Sequence, residues 1–216
     1  MIFKHSFYHL IGEKDLYELY DKEHFDYFKY SPTFALFMGL IAFLPTFIGL
    51  CIWNFLNVFV LFLGLKRVQF ANKNGFIFAC LFILIELFTT TLNSQSNALI
   101  AGLILLAFDA LQKSKTGKAA FYVVSTVFIK LFGLVAFAMF LFYPKKLKSA
   151  GYSLLWFVVL ALVPLLYVSF SSLEMNYLSW INLLKNDHSA EMKLSVMGFL
   201  NSWFGVAAEM KNIVML

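Results

Sequence analysis

A single lysine, Lys130, stands near the middle of an otherwise apolar run from 119 to 143. A charge so placed is costly in a bilayer and is a functional hypothesis by default. An ammonium at the mouth of a membrane cavity suits a lipid-linked phosphate. The competing readings are a side chain snorkelling to the interface, or a structural pair with Glu86. Glu86 is the second charge inside an apolar run, and it reads first as structural, since a lone buried carboxylate neutralises readily. Asp109 lies near a helix end, can reach water, and is given no role. Gln95 and Asn97 sit in the uncharged turn TTTLNSQSN. Neutral amides hydrogen-bond sugar hydroxyls or phosphate oxygens without the desolvation cost of an ion. The plainer reading of that turn is helix capping by Ser94, Ser96 or Asn97.

Group transfer to a hydroxyl also needs a base, usually a carboxylate or a histidine. The first thirty residues offer Glu13, Asp15, Glu18, Asp21, Glu23 and Asp26, most of which must be solvated surface. His5, His9 and Glu13 are spaced four apart and share a face on a helix, but three ligands without a second cluster fall short of a normal metal site. No metal residue is therefore assigned. His188, in NDHSAE, is a lone polar-segment histidine suited to acid, base or phosphate-contact work. No Walker loop, GxSxG, HExxH or dinucleotide fingerprint occurs, so an ATP-driven pump or a soluble-type hydrolase has no support.

The elements that must position these groups belong in a membrane. The 216-residue chain is 61% hydrophobic and only 13% charged, about half the charge of a soluble domain. Its formal charge of +5 comes from lysines clustered between apolar stretches, which is topology control rather than a nucleic-acid footprint. Cys51 and Cys80 lie in apolar stretches and read as small buried hydrophobes. Residues 1–30 lack the apolar core of a cleavable signal peptide. Residues 31–65 carry no charge and are too long for one straight span of a ~30 Å hydrocarbon core. Pro45 is a natural break. The pattern predicts a short helix over 33–44 and spans over 47–65, 76–92, 97–111 and 151–171, the last kinked by Pro164.

Three basic loops, Lys66/Arg67/Lys73, Lys113/Lys115/Lys118 and Lys145/Lys146/Lys148, hold nine of the 17 lysines and arginines. Placing all three in the cytoplasm puts residues 1–30 outside as a loop segment, 31–171 in the membrane, and the amphipathic segment 172–216 outside. This works only if 33–44 is re-entrant and 119–143 enters and returns with Lys130 near its outer tip. Broken helices of that kind are tolerated where they line a protein-walled or watery cavity. The expected fold is thus all-α and polytopic, with short re-entrant or broken helices around an outward cavity bordered by Lys130 and the SQSN turn.

Several phrases, taken together, resemble one family. DLYELY followed by FKYSPTFALFMGLIAFLP resembles its early pattern, WNFLN its next helix, and SQSNALIAGLILLA its Q-x-N turn and helix. The Lys130 stretch with the basic loop YPKKLKSAG resembles a later helix, and SVMGFLNSWF a late element, although Lys193 and Leu194 stand where Asn-Gln would be. The chain resembles glycosyltransferase family 87, polytopic enzymes of the GT-C fold related to polyprenyl-phosphomannose-dependent mannosyltransferases. The resemblance implies transfer of a mannose-like hexose from a polyprenyl-phosphate donor to a glycolipid or glycan acceptor outside the cytoplasmic membrane. It gives Asp15 (in the DLY element) as a catalytic candidate; His188, beside Lys130 at the departing phosphate, is the second, and Lys130, Gln95, Asn97 and Tyr30 are the substrate-binding candidates. Tyr30 belongs to the interfacial aromatic segment Phe25–Phe34, where sugars stack. The family's catalytic aspartate is expected just after a first span, hence upstream of Met1, and further spans are expected beyond Leu216. Partners are membrane lipids and the lipid-linked donor, with no nucleic acid. No cofactor is specified, and a divalent metal stays open. The rival reading is a non-enzymatic lipid or solute carrier, or an assembly subunit.

Overall fold

Apolar helices with few charges can satisfy their backbone without water, and here they do so throughout. A computed structural model describes residues 2–23, 26–70 and 72–186, and among these the regular structure is entirely helical. The α-helices are α1 (Ile2–Ile11), α2 (Pro32–Phe37), α3 (Gly39–Ala42), α4 (Thr46–Arg67), α5 (Lys73–Leu92), α6 (Asn97–Gln112), α7 (Thr116–Ile129), α8 (Lys146–Leu162) and α9 (Phe170–Asn186). Two 3-10 helices, Leu131–Phe142 and Val163–Leu166, follow α7 and α8. The chain divides into two units, Met1–Trp180 and Ile181–Leu216. The first carries α1 to α8 and most of α9.

Among the described residues three helical segments are long and apolar enough to cross a membrane: Thr46–Arg67, Lys73–Leu92 and Lys146–Leu166. The helix expected over 97–111 is α6, 16 residues or about 24 Å, which is shorter than those three. The break at Pro45 stands between α3 and α4, as its fixed φ and missing N–H demand. Pro164 ends α8 in a turn of 3-10 helix for the same reason. The first thirty residues, expected as a loop segment outside the membrane, open with α1. Phe3, Ser6, Phe7 and Leu10 fall on one face and are buried, a helical stripe that short range hid behind flanking charges.

The run 119–143 does not continue as one helix. It breaks at Lys130, whose backbone is extended (φ −145°, ψ 135°), and the chain then reverses. Thr126 lies against Gly133, and Ala119, Ala120 and Val123 share a core with Ala136 and Phe140. Small residues let the two arms approach closely, so Lys130 sits at the tip of a helical hairpin.

The other close contact joins α4 and α6, which run parallel. A Cβ on Gly102 would fall 2.6 Å from backbone atoms of Val60 and Leu61, and one on Gly64 would fall 2.8 Å from the Gly102 carbonyl oxygen. Backbone cannot yield as a side chain does, so Gly102→Ala is expected to cost roughly 1–3 kcal/mol through overpacking. A wild-type thermal unfolding midpoint for that variant in detergent would contradict this packing. By contrast α5 buries only Thr90. Its carboxylate, Glu86, is exposed, and accepts from the Thr90 hydroxyl at 3.5 Å.

Candidate functional site

Four helix ends meet where the sequence places its polar turn. α5 closes at Asn93, Ser94 turns with φ 49°, and α6 begins at Asn97. The turn is held from α4. The Trp53 indole donates to the Ser94 carbonyl oxygen at 2.9 Å, and the Asn54 amide to that of Thr91 at 3.3 Å. The buried Asn57 accepts from Leu99 N at 3.1 Å and donates to the Trp53 carbonyl oxygen at 2.9 Å. Leu99 N is one of the orphan donors at the start of α6, so a neighbouring helix caps it. The Ser96 hydroxyl, fully buried, makes no such cap.

This fixed turn meets the hairpin tip. Lys130 Nζ donates to Asn97 Oδ1 at 2.9 Å, and Asn97 Nδ2 donates to Gln95 Oε1 at 2.9 Å. The orientation of both amides follows from that chain, since an ammonium can only donate. Among the described residues nothing accepts from the Gln95 amide nitrogen, and its N–H groups are left for a ligand. Lys130 has no carboxylate within salt-bridge distance among the described residues. Its ammonium instead lies 5.7 Å from the centre of the Tyr30 ring and 5.6 Å from that of Phe132, a placement that favours cations. The alternative pairing with Glu86 is not formed.

Tyr30 is brought in by the loop before α2. Ser31 caps α2 through Phe34 N and donates to the Phe128 carbonyl oxygen at 2.5 Å, tying that loop to the end of α7. Tyr17 donates to the Tyr30 carbonyl oxygen at 2.8 Å, and Trp180 to that of Lys29 at 3.3 Å. The Tyr30 ring stacks on Phe34 at 4.5 Å. Burial pushes its phenol up from the ordinary value, so it stays protonated at neutral pH.

The space so enclosed is a pocket of about 480 Å³. Asp26, Lys29, Tyr30, Ser94, Gln95 and Lys130 line it, with Phe3 as an apolar wall. Its size is ordinary for a small-ligand site. Of the residues named from sequence, Tyr30, Gln95 and Lys130 line it and Asn97 links the last two. Asp15 does not line it. Its carboxylate accepts from Tyr17 N at 2.8 Å and from the Ser179 hydroxyl at 2.6 Å, which fastens the N-terminal loop to α9. His188 lies outside the described residues. Sequence reasoning passed over Asp26 as one of six carboxylates, and over Trp53, Asn54 and Asn57 as ordinary span residues. The signal for the latter was there: three polar-capable groups on one face of an apolar helix.

Histidines 5 and 9 do share a face of α1, but they meet Glu23, at 3.0 and 2.9 Å, rather than Glu13. Glu13 accepts from Ser169 N at 2.8 Å. Among the described residues no three His, Cys, Asp or Glu side chains are grouped as metal ligands.

An uncompensated ammonium, free amide donors, an aromatic face and one carboxylate in a pocket can bind an anionic, hydroxyl-bearing group and receive a proton from it. The family comparison agrees with that chemistry: the model of glycosyltransferase family 87 matches residues 28–211. No curated protein and no solved structure matches the chain. The match covers most of the sequence, and the chain belongs to glycosyltransferase family 87.

Proposed function

From this membership we propose that the chain moves a mannose-like hexose from a polyprenyl-phosphate donor to a glycolipid or glycan hydroxyl at the outer face of the cytoplasmic membrane. The observation that supports it best is Lys130. Its ammonium, at the tip of a broken apolar hairpin, faces a pocket with, among the described residues, a neutral amide and two rings as partners. A phosphate is the complement of that site, and a lipid-linked phosphate arrives at that depth with its chain beside the exposed apolar residues Leu131 and Phe132.

The transfer is a single displacement. The acceptor hydroxyl oxygen attacks the anomeric carbon as the bond from that carbon to the phosphate oxygen breaks. Asp26 takes the hydroxyl proton. Lys130 stabilises the charge that gathers on the departing polyprenyl phosphate. Gln95 donates to the sugar or the phosphate, Asn97 holds Lys130 and Gln95 in register, and the Tyr30 ring offers an apolar face to the sugar. Asp26 takes the role of base in preference to Asp15 because it lines the pocket and Asp15 does not; the Asp26 carboxylate also accepts from Tyr27 N at 2.8 Å.

The run of the helices supports this orientation. α6 leads from this pocket to the basic loop at 113–118, and α7 leads back. Those basic loops belong in the cytoplasm by the positive-inside rule, so the pocket opens on the other side. The test is incubation of the purified chain with sugar-labelled polyprenyl phosphate hexose and a membrane glycolipid extract. The expected result is label in the acceptor with release of one polyprenyl phosphate per sugar moved. A donor that is recovered intact while bound or carried across vesicles would overturn the reading.

A further inference from the structure

We propose a second phosphate-binding site, at the far end of α7, that takes the headgroup phosphate of an anionic membrane phospholipid. It is a pocket of about 250 Å³ between the α6–α7 turn and the first turns of α8, lined by Ser114, Lys115, Thr116, Lys118, Lys148 and Tyr152 among others. About 20 Å of helix separates it from Lys130, so one headgroup cannot serve both places.

Three lysines from two elements converge there. Among the described residues none of the three has a carboxylate partner. Their neighbour Lys113 differs: it is neutralised by Asp109 at 2.6 Å. Three like charges around one small space repel each other in the unliganded protein, and an anion between them relieves that repulsion. The walls are held in place without the lysines. The Trp156 indole donates to the Gly117 carbonyl oxygen at 3.0 Å. The Tyr152 ring lies against Gly117, where an added Cβ would meet it at 3.5 Å, and Lys148 stands 5.8 Å from the centre of that ring. The turn itself is fixed by Ser114 (φ 55°) and by Lys115 N donating to the Ala110 carbonyl oxygen at 2.8 Å.

A membrane phosphate fits better than a soluble one because of what adjoins the pocket. It lies at the start of a segment long enough to span the bilayer. The next residues of that segment include Leu147, Leu154 and Leu155, all exposed. A lipid phosphate at the interface is therefore level with the lysines while its chains lie along α8. Basic residues near an anionic surface each contribute to such binding.

The test uses the full chain purified in mild detergent, with phosphatidylglycerol, phosphatidylcholine or inorganic phosphate added, and intact-complex mass spectrometry to count bound lipid. Phosphatidylglycerol is expected to be retained on the order of a hundredfold better than phosphatidylcholine, from three lysines acting together. The triple variant Lys115→Gln, Lys118→Gln, Lys148→Gln is expected to lose that preference. The corresponding triple arginine variant and Lys113→Gln are expected to keep it. Equal retention of the two lipids by the wild type, or a preference that survives the triple glutamine change, would overturn the proposal. Displacement of the lipid by equimolar inorganic phosphate would also overturn it, by showing a soluble-anion site instead.

Discussion

Lys130→Met is expected to lower the rate of sugar transfer about 10²–10³-fold, the usual effect of losing one preorganised donor to a developing anion. Methionine keeps the length and the apolar stem, so the hairpin tip stays packed while the ammonium is gone. Among the described residues no ion pair is broken, because the ammonium meets the Asn97 amide and the rings of Tyr30 and Phe132. Stability is therefore expected to fall by no more than about 3 kcal/mol, the upper worth of one hydrogen bond from a charged group. The loss should fall mainly on kcat, since the charge on the phosphate oxygen grows as the bond to the sugar breaks. A variant with full transfer to a native acceptor would remove Lys130 from the mechanism. Lys130→Arg is expected to restore part of the rate, because the charge returns with a different reach and geometry.

Asp26→Asn is expected to be the second large loss, about 10²–10⁴-fold in transfer, since an amide cannot take the acceptor proton. The informative comparison is Asp15→Asn. Asp15 receives two hydrogen bonds that tie the N-terminal loop to its own turn and to α9. Its replacement is expected to lower the thermal midpoint, and to lower transfer less than Asp26→Asn does. The reverse pattern, with Asp26→Asn active and Asp15→Asn stable but inactive, would return the role of base to Asp15.

The sequence was most legible where a charge or a proline interrupted an apolar run. Pro45 and Pro164 mark real breaks because proline removes a donor and fixes φ whatever surrounds it. Lys130 marks the reversal of 119–143 because a lone ammonium cannot lie at the centre of a span. The polar turn at 94–97 was equally visible, since amides and serines without charges are rare between apolar helices. What stayed hidden depended on contacts distant in sequence. Nothing local distinguishes Asp26 from the other five early carboxylates; the pocket does, by folding the loop under Ser31, Tyr17 and Trp180. Asn57 is marked locally only as part of the WNFLN phrase, and its partner, Leu99 N, comes from another helix. α1 was masked because its buried stripe is interleaved with lysine and histidine.

The central claim is that the Lys130 pocket recognises the phosphate of a lipid-linked donor. It is tested most directly by comparing the binding of a polyprenyl monophosphate with that of the uncharged polyprenol, to the wild type and to Lys130→Met in the same detergent. The account predicts roughly tenfold or greater preference for the phosphate in the wild type, the worth of a charge-assisted hydrogen bond, and collapse of that preference in Lys130→Met. Equal affinity for the two lipids, or a preference unchanged by the substitution, would contradict it.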